Sequence, residues 1–150
     1  MNSEKLKKEI NIKNEIAPVS VIMISLNESH NIDEVCINLK GWAKNIFLVD
    51  SYSSDNTVEI ALSHGVHVVK NKFLGFGNQW NYALNNLNID TPWTMKLDPD
   101  ERLSDELKIN LRNAMLTSNS AAFSIDRRLW FMERPLPIYQ NIVRVWRTGK

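Results

Sequence analysis

Val19-Ser-Val-Ile-Met-Ile24 is apolar at nearly every position, so a strand built from it must be covered on both faces. Such a run suits the centre of a largely parallel sheet, and parallel strands need long crossover connections. Asn31 to Trp42 supplies the first, with Ile32, Val35, Cys36 and Leu39 at helical intervals and Gly41 near the end. A second apolar strand, Ile46-Phe-Leu-Val49, ends at Asp50. The turn Ser51-Tyr-Ser-Ser-Asp55 follows, where Ser54 or Asp55 can cap a helix that runs to about His64 and stops at Gly65. Val66 to Val69 reads as a short strand, and Gly75 and Gly77 open a third helix from about Asn78 to Leu87. Trp93 to Leu97 is a further strand, and Ser104 caps a helix to about Leu116. This alternation predicts right-handed βαβ units around a parallel sheet. The last thirty residues differ. Ala121 to Phe131 and Ile138 to Trp146 are rich in β-formers on either side of Met132 to Pro137, which predicts a hairpin or a pair of edge strands.

A chain of 150 residues is one domain or part of one. Residues 1–16 form a polar leader expected to be flexible, and 17–150 form the domain. A net charge of +1 gives no electrostatic reason to expect nucleic-acid binding. The lone Cys36 excludes an internal disulfide or a multi-thiolate metal site. With no signal peptide and no apolar run near the length of a membrane span, the expectation is a soluble, cytoplasmic protein. The charge is skewed, however: from residue 121 onward the sum is +4, leaving −3 for the first 120 residues. A solvated basic rim and a site for an anionic ligand both fit that skew.

Open α/β sheets bind ligands at the carboxyl ends of their strands. Here Asn27 and Glu28 follow the first strand, Asp50 to Asp55 the second, and Asp98 to Glu101 the fourth. Asp98-Pro-Asp100 is the most specific of these, because two carboxylates across one residue can face one oxygen-preferring cation, Mg2+ or Mn2+. Gly75-Phe-Gly77-Asn-Gln-Trp80 fails as a dinucleotide fingerprint, since Trp80 stands at the third glycine and no strand directly precedes Gly75. No P-loop, GxSxG or histidine-ligand spacing is present, and His30, His64 and His67 read as surface or packing residues.

Four ordered segments carry a resemblance. They are Val19-Ser-Val-Ile-Met-Ile-Ser-Leu-Asn-Glu28, Phe47-Leu-Val-Asp-Ser-Tyr-Ser-Ser-Asp-Asn-Thr-Val58, Gly75-Phe-Gly-Asn-Gln-Trp-Asn-Tyr-Ala83 and Lys96-Leu-Asp-Pro-Asp-Glu101. Over about residues 18 to 150 the chain resembles the family 2 inverting glycosyltransferases of the GT-A fold. Within them it looks most like the bacterial β-1,4-glucosyltransferase type of lipopolysaccharide-core and capsule synthesis. The resemblance implies a nucleotide-diphospho-sugar transferase sheet, Rossmann-like and mostly parallel, flanked by helices and truncated at its C-terminus. It implies that Asn27, Glu28 and Asp50 line the base and ribose of a UDP-sugar, with Ser51 and Asp55 supporting that loop. Gln79 and Asn81 would lie near the nucleotide. Asp98 would contact the ribose or the metal, and Asp100 the Mg2+ or Mn2+. Arg144 and Arg147 would meet the diphosphate or an anionic acceptor.

The implied reaction is a single displacement with inversion onto a saccharide or lipid-linked saccharide acceptor, at the inner face of the cell membrane. No base can be named; Glu101, beside the metal motif, is a candidate for that role or for a bracing one. Tyr52 replaces the usual glycine after Asp50-Ser51, Trp80 replaces a common lysine, and Pro99 a common alanine. A chain ending at Lys150 is expected to lack the acceptor half and to be inactive alone. It would also expose Trp130, Phe131, Ile142, Val145 and Trp146 as a patch through which it self-associates. The alternatives are a non-catalytic nucleotide-sugar-binding remnant and, disfavoured by the missing glycine- and lysine-rich loop, a nucleotidyltransferase.

Overall fold

A computed structural model describes residues 15–150, so the polar leader lies outside the described residues except for its last two positions. Four parallel strands come first: β1 (Ala17–Ser25), β2 (Ala43–Asp50), β3 (His67–Lys70) and β4 (Trp93–Lys96). The helices are α1 (Ser29–Leu39), α2 (Thr57–Ser63), α3 (Phe76–Asn86) and α4 (Asp105–Thr117). A hairpin of β5 (Ala122–Phe131) and β6 (Arg134–Arg147) completes one sheet in the order β3-β2-β1-β4-β6-β5, with β6 antiparallel to β4. This is the expected mostly parallel sheet flanked by helices.

The missing alternation in β1 now has its reason. Val19, Val21 and Met23 face a core shared with α1, α2 and α4, including Ile32, Val35, Leu39, Ala61 and Leu111. Ile22, one residue out of phase, joins Phe47, Val49 and Ala83 of α3 on the other face. All four β1 side chains are fully buried. Each contributes on the order of 1.5–3 kcal/mol of transfer free energy, which a strand wetted on one face would forfeit at every second residue. The local signals also hold. Gly65 takes a left-handed φ of 76° just past α2, and the Ser104 hydroxyl accepts the Leu107 N–H at 3.2 Å to cap α4.

The C-terminal segment is a hairpin, but not a pair of edges: β5 is the edge and β6 lies between it and β4. Its turn is only Met132-Glu133, both with positive φ (46° and 60°), the twist that joins two strands most tightly. Arg134 to Pro137 therefore extends β6. Pro135 and Pro137 are tolerated because β4 pairs only with residues 145–147, leaving this part of β6 unpaired on its other side. The expected apolar patch is corrected accordingly. Val145 is fully buried, and Ile142 and Trp146 are half-buried, because the inner end of β6 is sheet interior. The exposed apolar residues are Trp130 and Phe131 (64% each), Met132, Ile138 and Tyr139 farther out toward the hairpin tip, with Val143 exposed beside Ile142.

Candidate functional site

The strand order turns at β1: β2 and β3 continue to one side, while β4 lies on the other. Ligand crevices open at the carboxyl ends of strands where the order reverses. A cleft of about 270 Å³ lies there, lined by Ile24, Ser25, Leu26, Glu28, Ser51, Phe73 and Phe76. Phe73 and Phe76 meet edge to face at 5.2 Å, so two aromatic walls stand beside the carboxylate of Glu28 and the hydroxyl of Ser51. Apolar walls with a few convergent polar groups suit a flat heterocycle.

Two loops shape this cleft and bind each other. Asn27 Oδ1 accepts the Ser54 N–H at 2.8 Å, and the Asn27 N–H donates to Ser53 Oγ at 2.8 Å. The Glu28 N–H donates to Thr57 Oγ1, and Glu28 Oε2 accepts from Asn31 Nδ2 at 2.9 Å. Tyr52 holds a φ of 62°, in the left-handed region that glycine enters freely, at a backbone cost of roughly 1–2 kcal/mol.

The expectation that Asp50 contacts a base is corrected. Its side chain is fully buried and accepts from Ser25 Oγ (2.9 Å), the Ser53 N–H (2.8 Å) and Ser53 Oγ (2.5 Å). Asp50 ties the ends of β1 and β2 together beneath the cleft instead of lining it.

Asp55 does support the loop. It accepts the Ser29 N–H at the start of α1 and the Thr57 N–H and hydroxyl at the start of α2. The side-chain bond from Thr57 is the main cause holding its carboxyl well below the usual range. A lowered folded-state proton affinity adds stability above the ordinary value of 3.8, lost progressively as the pH falls below it. Asp55→Asn is therefore expected to flatten the low-pH limb of an acid-unfolding profile followed by circular dichroism. An unchanged profile would refute the assignment.

At the end of β4 the chain turns through Asp98-Pro-Asp-Glu101, closed by the Glu101 N–H donating to the Asp98 carbonyl at 2.9 Å. Pro99 stands second in this turn, where its fixed φ is favoured, so it fits the motif. Asp100 is exposed and enters none of the hydrogen bonds or ion pairs among the described residues. Asp98 Oδ2 meets Arg144 Nη2 at 3.3 Å. No set of three metal-ligating side chains exists among the described residues. Two hard carboxylates still fit Mg2+ or Mn2+, which bind through one or two carboxylates plus phosphate and water.

Glu101 is corrected as a base candidate. Oε2 accepts the Asp98 N–H at 2.9 Å, while Oε1 accepts from Arg144 at 2.8 Å and Arg127 at 3.2 Å. Both oxygens are engaged in bracing the turn. Arg147 is corrected too. It pairs across from Trp93 at the start of β4, at the opposite end of the sheet, over the Trp93 ring at 4.4 Å and donating to Ser118 and Ser120 carbonyls.

Gln79 is fully buried; its Nε2 donates to Ser51 Oγ at 3.2 Å and its Oε1 accepts from Asn71, so it acts on the cleft through Ser51. Asn81 lies on the exposed face of α3 and does not line the cleft. Leu26, Phe73, Phe76 and Arg127 went unnoticed in the sequence. The signal for three of them was apolar residues placed where solvent should disfavour them, Leu26 and Phe73 in loops and Phe76 at the first position of α3. His64 meets Asp33 at 2.7 Å and His67 lies 5.2 Å from the Phe47 ring, in keeping with packing roles.

Comparison with known proteins bears on the whole arrangement. An uncharacterized glycosyltransferase of Rickettsia bellii is 32% identical over 126 residues, covering 84% of this chain and 40% of the relative. One from Rickettsia prowazekii is 30% identical over 123 residues, covering 82% and 40%. The chain thus spans about 40% of the length of these relatives. Among solved structures, mannosyl-3-phosphoglycerate synthase of Rubrobacter xylanophilus superposes with a TM-score of 0.57 at 20% identity, over 77% of this chain and 39% of that one. Glucosyl-3-phosphoglycerate synthase of Mycobacterium tuberculosis, crystallised with Mn2+, UDP and glucosyl-3-phosphoglycerate, gives 0.54 at 21% identity, over 69% and 41%. The profile of glycosyl transferase family 2 matches residues 20–146, and the chain belongs to that family.

Proposed function

We propose that residues 17–150 are the donor-binding part of a glycosyltransferase that moves a sugar from a nucleotide-diphospho-sugar, a UDP-sugar, to a saccharide acceptor. The observation that carries this is the aromatic-walled cleft at the ends of β1 and β2, with Asp98 and Asp100 following the same end of the neighbouring parallel strand β4. Phe73, Phe76 and Leu26 flank the base, and Glu28 and Ser51 hydrogen-bond the nucleoside. Asn27, Asp50, Asp55 and Gln79 hold the walls in place. Asp98 and Asp100 hold the divalent cation, Asp98 also reaching the ribose, and Arg144 meets the diphosphate or an anionic acceptor. A cation there supplies charge stabilisation to the leaving diphosphate. Transfer is a single displacement: the acceptor hydroxyl loses its proton to a base and attacks the anomeric carbon, inverting it as the diphosphate leaves. The acceptor is a saccharide or lipid-linked saccharide of lipopolysaccharide-core or capsule synthesis, of the β-1,4-glucosyltransferase type, met at the inner face of the membrane. No helix among the described residues is long and apolar enough to cross a membrane.

The experiment is thermal unfolding with UDP, UDP-sugars and other nucleotides, with and without Mn2+. At a hundredfold excess over Kd a ligand of the folded state adds about 2.7 kcal/mol, or about 5–10 °C for a chain this size. A rise with UDP that requires Mn2+ is expected; no metal-dependent rise with any nucleotide overturns the reading.

The exposed Trp130, Phe131 and Met132 at the hairpin tip support self-association. Light scattering is expected to show oligomers that Trp130→Ser with Phe131→Ser disperses. A monomeric unaltered chain sinks that part alone.

A further inference from the structure

Arg144 is the extra residue of a β-bulge: Phe123 pairs with Val145 and Ser124 with Val143, leaving Arg144 without a partner across the hairpin. Bulges re-aim side chains and are frequent beside active sites. This one directs a side chain only 9% exposed toward the carboxylates after β4. Nη2 donates to Glu101 Oε1 at 2.8 Å and to Asp98 Oδ2 at 3.3 Å. Nη1 is buried with no partner among the described residues, and so is Arg127 Nε.

The two contacts of Arg144 are unequal. The one to Glu101 is shorter, and the Glu101 side chain is 15% exposed against 35% for Asp98. Glu101 also has Arg127 at 3.2 Å, so it keeps a cationic partner if Arg144 moves; Asp98 has no second one among the described residues. A buried charged N–H without an acceptor is unfavourable. The free Nη1 edge therefore marks a direction in which an acceptor belongs.

We infer that Arg144 is an exchangeable partner of Asp98. Without donor, Arg144 neutralises Asp98. When the donor diphosphate enters with its divalent cation, Asp98 gives up the guanidinium for the cation and Arg144 presents its free edge to the diphosphate oxygens. The inference rests on the nucleotide-sugar reading above. A divalent cation and a doubly charged diphosphate entering together leave the net charge of the cluster unchanged. The planar guanidinium fork also matches phosphate oxygens in pairs. Arg127 stays on Glu101 throughout, so no carboxylate is left buried and unpaired.

The test compares the unaltered chain with Arg144→Gln and Arg144→Lys. Calorimetry measures UDP and uridine at saturating Mn2+, and electron paramagnetic resonance of free Mn2+ measures the metal alone. For Arg144→Gln, UDP is expected to bind about tenfold or more weakly and uridine as before. Mn2+ alone is expected to bind about fivefold more tightly, because a positive charge beside Asp98 is gone. Arg144→Lys keeps that charge, so Mn2+ affinity stays put while UDP weakens with loss of the fork. A merely structural role would lower every affinity together. Equal weakening of UDP and uridine, or no gain in Mn2+ affinity, overturns the inference. Should the Gln variant fail to fold, unchanged UDP affinity in the Lys variant overturns it. An unaltered chain that ignores UDP in Mn2+ removes both this inference and the nucleotide-sugar reading, whereas UDP binding without the Arg144 effects removes only the inference.

Discussion

Asp100→Ala is expected to abolish the manganese-dependent part of UDP binding, by about a hundredfold or more, with thermal unfolding of the free chain unchanged. The expected loss exceeds the roughly 10–100-fold that follows removal of a mere outer-shell partner of a metal. The stability half of the prediction follows from exposure. Asp100 is at the solvent side of the turn and enters none of the hydrogen bonds among the described residues, so truncation strands no buried group. The turn itself is closed by backbone atoms of Asp98 and Glu101 and braced by the Glu101 side chain. Calorimetric titration with UDP at several Mn2+ concentrations checks it. A variant that keeps the manganese dependence of the unaltered chain would show that Asp100 holds no cation.

Asp50→Ala is expected to have the opposite profile, a large loss of stability from a residue that does not line the cleft. Removing the carboxylate leaves two hydroxyls and one backbone N–H without their acceptor beneath the cleft. At about 1–3 kcal/mol for a buried unsatisfied group, and with some relief from hydroxyl rotation, the loss is about 3 kcal/mol. That corresponds to about 10 °C in Tm for a chain this size. Asp50→Asn is the informative control. Its amide oxygen can still accept the Ser53 N–H, and its NH2 can donate to the hydroxyls of Ser25 and Ser53, which accept as readily as they donate. The expected cost is only about 1 kcal/mol, from loss of the charged acceptor. Equal destabilisation by Ala and Asn would mean that charge, not hydrogen-bond pairing, holds the turn. A stable Asp50→Ala chain that no longer binds UDP would restore the direct base contact.

The order of elements was legible because its causes are local. An unbroken apolar run, a glycine that tolerates left-handed φ and a serine that caps the next helix act within a few residues. β1, α1, α2 and α4 accordingly fall close to where the sequence puts them. The convergence of Asn27–Glu28, Asp50–Ser51 and Asp98–Asp100 was legible too, because parallel strands must end on the same side of the sheet. Where the sequence misleads, the deciding partner is distant in the chain. Whether Asp50 points into the cleft or beneath it depends on Ser25, a strand away, and on Ser53 across a tight turn. Whether Glu101 is free to take a proton depends on Arg127 and Arg144 in the hairpin.

Arg144 and Arg147 make the distinction most sharply. They sit three residues apart in one strand with the same chemistry, and the sequence treats them alike. Antiparallel pairing carries Arg147 to the start of β4, over Trp93 and far from the carboxylates. A single unpaired residue in the β5–β6 register turns Arg144 onto Asp98 and Glu101. The sequence by itself determined which segments are strands and helices, and which strand ends carry carboxylates, because backbone sterics and desolvation are already settled by neighbouring residues. Only the tertiary structure decided which carboxylate is braced, which is open to a cation and which arginine stands beside them, because those choices rest on register and side-chain pairing between segments far apart in the chain.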